Sequence, residues 1–272
     1  MSREGENDVL LQGSYDGSSF FGLLQCDFPH LLPLQHLAPL PSSALQLPEA
    51  VPFATTILAM RFSEGVIVAG DRQATEGFEI SSRRIEKLYN ADNYSVIALA
   101  GAAGPCLDMA KLFQVEMEHY EKIEGETLAL EGKANKLAQM VRQNLPAAFQ
   151  GLVVVPIFAG YDLHEQQGRI FKYDVTGGRY EERQFYATGS GGKEARSTLK
   201  KLFQEGLARE TAVSLAIEAL IDAADNDVGT SGPDLARGIY PLVKVVMCDG
   251  ISDISDAELR PLCEKLLARL KG

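Results

Sequence analysis

The pattern of hydrophobic and polar positions changes at residue 55. Upstream of that point, half of the twelve prolines lie between Pro29 and Pro52. Proline removes a backbone hydrogen-bond donor and fixes its own φ, so residues 1–54 are not expected to form regular structure. Downstream, apolar runs of strand length alternate with stretches of helical periodicity. The sequence therefore predicts a folded domain over residues 55–272, preceded by a segment of different character.

Strands and helices follow one another in blocks within the predicted domain. The strands are predicted at residues 56–60, 66–69, 85–89, 94–100, 153–160, 169–173, 184–187 and 243–248. The helices are predicted from about 105 to 124, 127 to 145, 189 to 203, 210 to 224 and 256 to 270. Such blocks favour an α+β fold of stacked antiparallel sheets with helices outside over a doubly wound parallel sheet.

The same pattern predicts one strand connection and one helix face. The strands at 169–173 and 184–187 are expected to be joined through Gly177 and Gly178. The apolar side of the first helix is assigned to Leu107, Ala110, Leu112, Phe113, Val115 and Met117.

The first predicted hairpin places a carboxylate near residue 55. We expect Arg61 to pair with Val66 across a short turn. Antiparallel pairing from that register brings Thr55 opposite Arg72, next to Asp71. An acidic side chain is thereby predicted beside the first residue of the domain.

A lysine lies within the second predicted hairpin. Strand alternation puts Ile85, Lys87 and Tyr89 on one face. If that face is buried, Lys87 needs a partner, because an unpaired buried charge is very costly, and Asp71 is the candidate. The alternative is that the face is solvated and Lys87 is an ordinary surface lysine. The pattern by itself favours that alternative.

Composition excludes several classes of partner. The net charge is -11, so the chain lacks the basic surface of a nucleic-acid-binding protein, and an anionic membrane would repel it. No apolar run reaches the roughly 18 residues that span a bilayer. The first thirty residues do not resemble a secretory signal. A cytoplasmic protein is therefore expected.

Cysteine and histidine usage excludes further chemistry. The cysteines show no Cys-x-x-Cys spacing, so we expect buried free thiols rather than a zinc site or disulfide scaffold. The histidines do not cluster, which is unsuited to a Ser-His-Asp relay or a metal site. No metal and no cofactor are expected. These residues are Cys26, Cys106, Cys248 and Cys263, and His30, His36, His119 and His164.

A threonine nucleophile without histidine needs another base. The α-amino group of an N-terminal threonine can serve, since its unperturbed pKa is about 7.7–8. This chemistry requires cleavage of the chain before Thr55. A nearby Lys87 ammonium would lower the pKa of the amine, and Asp71 would keep Lys87 charged. These three residues fill the required roles.

Several short motifs occur together in residues 55–272. They are Thr55-Thr56-Ile57, Gly70-Asp71-Arg72, Arg84-Ile85-Glu86-Lys87-Leu88, Ala100-Gly101, Gly189-Ser190-Gly191 and the loop from Asp225 to Asp234. In this order and spacing the domain resembles proteasome β-subunits of the actinobacterial type, members of the N-terminal-nucleophile hydrolases. The resemblance implies a four-layer αββα sandwich and threonine endopeptidase activity.

The resemblance also implies a role for each matching residue. Thr55 would be the nucleophile, with Asp71 and Lys87 as the pair that tunes it. The backbone N–H of Gly101 would form the oxyanion hole. A hydrogen-bonded group around the Thr55 amine and hydroxyl would comprise Ser190, Asp227 and Thr230.

An apolar specificity pocket is implied as well. It would favour cleavage after apolar or aromatic residues. For Leu99 and Leu107, a place in the core explains the residue equally well. The pocket residues would be Ala74, Thr75, Ile85, Tyr89, Leu99, Ala103 and Leu107.

Residues 1–54 would be a propeptide that is removed at the Ala54–Thr55 bond. Composition alone leaves a disordered extension as an equal alternative, but Ser18-Ser19-Phe20-Phe21 resembles a propeptide motif of such subunits. Relatives usually have glycine before the cleaved bond. The Cβ of Ala54 restricts φ and ψ, so self-cleavage is expected to be slower or to depend more on assembly.

Partners follow from the resemblance alone. It implies stacked seven-membered rings of β-subunits between rings of α-subunits, a ring ATPase, and substrates tagged with a ubiquitin-like modifier. Two other functions remain open. One is a catalytically silent ring component, and the other is an N-terminal-nucleophile amidohydrolase that acts on a small amide.

Overall fold

Two five-stranded antiparallel sheets form the centre of the domain. The computed structural model describes residues 55–76 and 79–270, and the propeptide prediction, including Ala54 and the Ser18–Phe21 motif, lies outside these residues. Sheet 1 has the strand order β10-β1-β2-β11-β12, sheet 2 has the order β5-β6-β7-β8-β9, and β3 and β4 form a separate hairpin. The strands are β1 Thr56–Phe62, β2 Gly65–Gly70, β3 Ala74–Glu76, β4 Glu79–Ser82, β5 Leu88–Asn90, β6 Ser95–Gly101, β7 Val154–Asp162, β8 Gln167–Tyr173, β9 Arg179–Glu182, β10 Phe185–Gly189, β11 Leu242–Met247 and β12 Gly250–Asp253.

Helices cover the outer face of each sheet. The first two helices pack on sheet 2 and the last three helices pack on sheet 1. The helices are α1 Ala103–Glu124, α2 Leu130–Gln143, α3 Leu145–Ala148, α4 Gly192–Leu202, α5 Arg209–Asn226 and α6 Asp256–Leu270.

Three apolar cores separate four layers. One core lies between the sheets and contains Ile57, Val68 and Ile157. A second lies between sheet 2 and helices α1 and α2, around Phe113 and Phe158, whose rings meet edge to face at 5.7 Å. The third lies between sheet 1 and helices α4, α5 and α6. The predicted αββα sandwich is confirmed.

The first hairpin has the predicted register. Arg61 pairs with Val66, and the ladder continues to Ile57 opposite Gly70. On its other side, β1 pairs with β10, where Thr56 faces Gly189. The start of β1 is therefore held between the end of β2, which leads to Asp71, and the end of β10, which leads to Ser190.

Four strands were not predicted from the sequence, and one predicted connection was wrong. The strands β3, β4, β9 and β12 are short and carry little apolar alternation. Strands β8 and β10 are not joined directly through Gly177 and Gly178, because β9 follows those glycines and pairs with β8. The chain then crosses to sheet 1 to form β10.

Two residues of α1 were assigned to the wrong side of the helix. Leu112 and Val115 are more than half exposed, whereas Phe113 and Met117 are buried. Exposed apolar residues are common on protein surfaces, so hydrophobicity alone did not separate these positions from the core.

The segment before β5 also differs from the prediction. Residues 85–87 are not in a strand, and β5 begins at Leu88. Lys87 and Leu88 are both buried although they are neighbours. The strand predicted over residues 85–87 was therefore wrong, and the burial of Lys87 does not follow from strand alternation.

Three cysteines fall in the part of the chain that the structure describes. All three are free thiols, and Cys106 and Cys263 are buried as predicted, whereas Cys248 is exposed. Among the described residues, none of the helices is long and apolar enough to cross a membrane.

Candidate active site

A buried ion pair lies at the end of β2. Lys87 Nζ is 2.6 Å from Asp71 Oδ1, and the two residues are 4% and 0% exposed. This is the partner that burial of Lys87 requires, so the interpretation of Lys87 as a solvated surface lysine is wrong.

Four further hydrogen bonds hold the carboxylate of Asp71 in place. Its Oδ1 accepts the N–H of Thr56 at 2.8 Å. Its Oδ2 accepts the N–H of Gln73 at 2.9 Å, the N–H of Ser231 at 3.2 Å and the hydroxyl of Ser231 at 3.5 Å. Hydrogen bonds to the charged form favour it. Asp71 thereby connects the strand that starts with Thr56 to the loop after α5.

Burial and Asp71 act in opposite directions on Lys87. Burial lowers the pKa of the Lys87 ammonium below its ordinary value, whereas the charge and hydrogen bond of Asp71 raise it. A lysine whose pKa is lowered exchanges protons closer to neutral pH than a surface lysine does.

A second polar group meets the backbone of Thr55. The N–H of Thr55 donates to Ser190 Oγ at 3.2 Å, and the N–H of Ser190 donates to the Thr55 carbonyl at 2.9 Å. The Ser190 hydroxyl donates in turn to Asp227 Oδ2 at 2.5 Å. The structure therefore brings together the predicted residues Thr55, Ser190 and Asp227.

Thr230 belongs to the same group but contacts a different threonine. Its hydroxyl donates to Asp227 Oδ2 at 2.5 Å. Its Oγ1 also lies 2.6 Å from Oγ1 of Thr56. The contact predicted for Thr230 was with the amine and hydroxyl of Thr55, so the link to Thr56 was not foreseen.

Gly101 ends β6 beside the same site. Its φ of +132° favours glycine, and an added Cβ would lie only 2.0 Å from the carbonyl oxygen of Val153. The next N–H, that of Ala102, donates to the same Val153 oxygen at 2.9 Å. The backbone here is thus fixed in a conformation that a side chain would not permit.

A cavity of about 470 Å³ opens between Thr55 and the start of α1. All seven residues of the predicted specificity pocket line it, together with Thr55, Lys87 and Gly101. Leu99 lines the cavity and also belongs to the core, whereas Leu107 is 38% exposed. The core explanation is therefore wrong for Leu107.

A model of the family described as proteasome subunit matches residues 51–235. The chain belongs to the proteasome subunit family. It is also similar to three proteins named proteasome subunit beta. The protein of Acidimicrobium ferrooxidans is 56% identical over 216 residues, which cover 79% of each chain. That of Streptomyces griseus is 48% identical over 252 residues, which cover 93% of this chain and 88% of the relative. That of Acidothermus cellulolyticus is 50% identical over 255 residues, which cover 92% and 87%.

Membership of the proteasome family confirms the resemblance found in the sequence. The chain is a β-type subunit of the actinobacterial kind, with the threonine endopeptidase activity of the proteasome core. It is therefore a subunit of a proteasome.

Several residues of this proteasome site were missed in the sequence. Gln73 and Ser231 donate to Asp71, and the side chain of Gln73 also donates to the Val228 carbonyl at 2.9 Å. The signal for Ser231 was its place in the polar loop 225–234, but no spacing indicated its contact. Gln73 carries no sequence signal, because its backbone N–H makes the contact with Asp71.

The cavity also has lining residues that were not predicted, namely Ser81, Glu86, Gly104 and Cys106. Glu86 and Lys87 make one part of the cavity wall charged, whereas none of the predicted pocket residues carries a charge. Burial raises the pKa of the Cys106 thiol to about 12, and the Lys87 charge opposes that rise. Cys106 is thus a neutral, apolar wall residue at neutral pH.

The potential metal-ligating side chains are dispersed in the part of the chain that the structure describes. No three His, Cys, Asp or Glu side chains are grouped there so that they could hold a metal ion. His119 and His164 are both exposed. The polar residues around Thr55 are hydroxyls, carboxylates and an ammonium, which suit proton transfer.

Proposed function

We propose that Thr55 is the nucleophile of this proteasome β-subunit and that self-cleavage at the Ala54–Thr55 bond releases residues 1–54 as a propeptide. The observation that carries the proposal is the buried Lys87–Asp71 pair beside the start of β1. A buried ion pair is weak evidence for stability, because desolvation offsets its attraction. A role in proton transfer at Thr55 accounts for this pair, whereas a contribution to stability does not.

Self-cleavage would begin with attack of Thr55 Oγ on the Ala54 carbonyl carbon. The hydroxyl proton is transferred to the departing nitrogen of Thr55 as the C–N bond breaks. The product is an ester between Ala54 and Thr55 Oγ, with a free α-amine. Water then hydrolyses the ester, which releases the propeptide as a carboxylic acid and restores the hydroxyl.

Peptide cleavage would follow the same acyl-enzyme route. The free α-amine of Thr55 accepts the proton of Oγ as Oγ attacks the scissile carbonyl, and the proton then passes to the leaving amine. The Lys87 ammonium favours the neutral, basic form of the α-amine. Water completes the cycle by hydrolysing the ester.

Each remaining predicted residue has a role in this scheme. The N–H of Gly101 stabilises the oxyanion, which forms at the mouth of the cavity. Ser190, Asp227 and Thr230 orient the α-amine through the contact of Ser190 with the Thr55 nitrogen. The cavity lining, from Ala74 and Thr75 to Leu107, receives an apolar or aromatic side chain before the cut.

The proposed assembly goes beyond membership of the proteasome family. We infer stacked seven-membered β-rings between α-rings, in the cytoplasm, fed with unfolded substrates by a ring ATPase. Substrates tagged with a ubiquitin-like modifier are part of the same proposal. It rests on the resemblance of residues 55–272 to actinobacterial β-subunits.

Hydrolysis of fluorogenic peptides by the purified core tests the proposed nucleophile. Peptides with phenylalanine or leucine before the reporter should be cleaved, and a peptide boronate should block cleavage. The matched control is Thr55→Ala in the same particle, which should assemble but show no cleavage. Equal rates for wild type and Thr55→Ala would contradict the proposal. Turnover of small amides without cleavage of these peptides would favour the amidohydrolase alternative.

A further inference from the structure

The side chain of Thr56 is completely buried, although it adjoins the proposed nucleophile. Its Oγ1 accepts the N–H of Gly191 at 2.9 Å and lies 2.6 Å from Oγ1 of Thr230. The strand β1 thus contacts, through one hydroxyl, the start of α4 beside Ser190 and the loop that carries Asp227.

The direction of each hydrogen bond follows from counting protons. A hydroxyl has one proton, and an ionised carboxylate only accepts. The Thr230 hydroxyl gives its proton to Asp227, so the Thr56 hydroxyl must donate to Thr230. The Ser190 hydroxyl also donates to Asp227, which leaves a Ser190 lone pair free to accept the N–H of Thr55.

The chain of donors therefore runs from Gly191 through Thr56 and Thr230 to Asp227. Thr56 and Thr230 in this chain are buried, whereas Asp227 at its end is half-buried. Ser190, which also donates to Asp227, is exposed. Hydrogen bonds in a buried environment are stronger and more costly to leave incomplete than those at the surface. The buried hydroxyls of Thr56 and Thr230 consequently hold Asp227 in place, and Asp227 in turn holds the exposed Ser190.

Gly191 provides independent support for a specific contact. A Cβ at this position would lie 2.7 Å from Oγ1 of Thr56 and 2.9 Å from Oγ1 of Thr230. Both distances are too short for a side chain, so the two hydroxyls approach the Gly191 backbone only because it is glycine.

The backbone of Thr56 completes the connection. Its N–H donates to Asp71 Oδ1 at 2.8 Å, and its carbonyl accepts the N–H of Asp71 at 3.1 Å. Thr56 is therefore bonded through its backbone to the Asp71–Lys87 pair and through its side chain to the Ser190–Asp227–Thr230 group.

We propose that Thr56 is a positioning residue, whose hydroxyl holds Ser190 and Asp227 in register with the amine of Thr55. The inference rests on the proposed role of Thr55 as nucleophile. It assigns to Thr56 no contact with substrate. Loss of the hydroxyl should therefore lower kcat and leave KM nearly unchanged.

The test compares Thr56→Val with Thr56→Ser in the assembled core. Valine keeps the shape but removes the hydroxyl, whereas serine keeps the hydroxyl. Rates are expressed per processed subunit, counted by intact mass, so slower self-cleavage does not obscure the result. We expect Thr56→Val to lower kcat at least about tenfold, with KM within about twofold, and Thr56→Ser to restore most of kcat.

Thr198→Val is the matched control for loss of a buried hydroxyl. Thr198 is 7% exposed, lies in α4 and donates to Asp222 Oδ2 at 2.6 Å, away from Thr55. It should lower the Tm without changing kcat. An equal fall of kcat in Thr198→Val and Thr56→Val would overturn the proposal, because the effect would then be global.

Two further outcomes are decisive. If Thr56→Val fails to assemble, Thr56→Cys keeps the volume with a weak donor and should still lower kcat. Unchanged kcat in the assembled hydroxyl-loss variant, with Thr55→Ala inactive, overturns the role of Thr56 alone. Activity in Thr55→Ala would instead overturn the proposed nucleophile, so the two failures are distinguishable.

Discussion

Lys87 Nζ lies 2.6 Å from Asp71 Oδ1, and both side chains are buried, with Asp71 completely inaccessible to solvent. Sixteen positions separate the two residues in the sequence, and both follow the β1–β2 hairpin. Asp71 follows β2, whereas Lys87 lies in the irregular segment before β5. The pair therefore connects the two sheets at the edge where the cavity opens.

The first prediction concerns Lys87→Met. We expect peptide cleavage to fall by about 10²–10⁴-fold, the usual contribution of a positioned acid or base. Loss of the counter-charge of the buried Asp71 should lower the Tm, but the fold should persist, because Asp71 still accepts the N–H groups of Thr56, Gln73 and Ser231. Circular dichroism and particle assembly check the fold, and fluorogenic peptides check the activity.

The control for this prediction is Lys122→Met. The Lys122 side chain is 77% exposed and faces Glu118 on the surface of α1. Exposed ion pairs contribute little, so activity should be unchanged. Comparable loss in the two variants would count against a specific role for Lys87.

A second prediction concerns Gly101→Ala. The added Cβ would meet the Val153 oxygen at 2.0 Å, so the backbone must move. If the N–H of Gly101 forms the oxyanion hole, kcat should fall about 10²–10³-fold. Gly206→Ala is the control, because its φ of +74° is also strained but nothing lies near the new Cβ. It should lose stability while activity is retained, and a fall of kcat in this control would assign the effect to strain alone.

A third prediction tests the specificity cavity with Ala103→Leu. The larger side chain reduces the space available beside Leu99 and Leu107. We expect kcat/KM for peptides with phenylalanine before the cut to fall about 10–200-fold relative to those with alanine, as for other steric changes in apolar pockets. Ala257→Leu on the exposed side of α6 should leave the ratio unchanged. An unaltered ratio in Ala103→Leu would remove this cavity as the specificity pocket.

The fourth prediction concerns stability and pH. Arg169 lies 3.0 Å from Asp162 Oδ2 and makes two hydrogen bonds of 2.8 Å with Glu181. Burial opposes the effect at Asp162, but hydrogen bonds from Glu165, Arg169 and His164 lower its pKa from 3.8. The hydrogen bond from Arg169 lowers the pKa of Glu181 from 4.5.

Lowered carboxyl pKa values stabilise the fold above the ordinary values and lose that effect as the pH falls through the lowered ones. Arg169→Met should therefore reduce the free energy of unfolding by about 2 kcal/mol at pH 7, because Asp162 is buried but Glu181 is 42% exposed and solvent screens its contribution. The difference from wild type should begin to shrink below pH 4.5 and be smallest in strong acid. Denaturant unfolding at several pH values measures it, and a constant difference would contradict the prediction.

The sequence predicted the fold well where apolar periodicity was strong. The register of Arg61 with Val66 followed from one turn, and it placed Asp71 beside the start of β1. Strands β9 and β12 were missed because their residues are mostly polar and their pairing comes from neighbouring strands. Tertiary context decides such segments more than propensity does.

The candidate site was predictable in its residue types and less so in its contacts. Alternation predicted Lys87 on a strand face, yet Lys87 is buried in an irregular segment outside any strand. Thr230 was assigned to Thr55, but its hydroxyl contacts Thr56. Pairings between residues as distant as Thr56 and Thr230 depend on how β1, α4 and the loop after α5 meet, which periodicity does not encode.

The intact mass of the β-subunit in purified assembled core particles shows whether Thr55 has released itself from residues 1–54. Wild type should have the mass of a chain that begins at Thr55, and Thr55→Ala should retain residues 1–54. Full-length wild-type chains in assembled particles would contradict Thr55 as an active, self-released nucleophile. Removal of residues 1–54 from Thr55→Ala at the wild-type rate would contradict self-cleavage by Thr55.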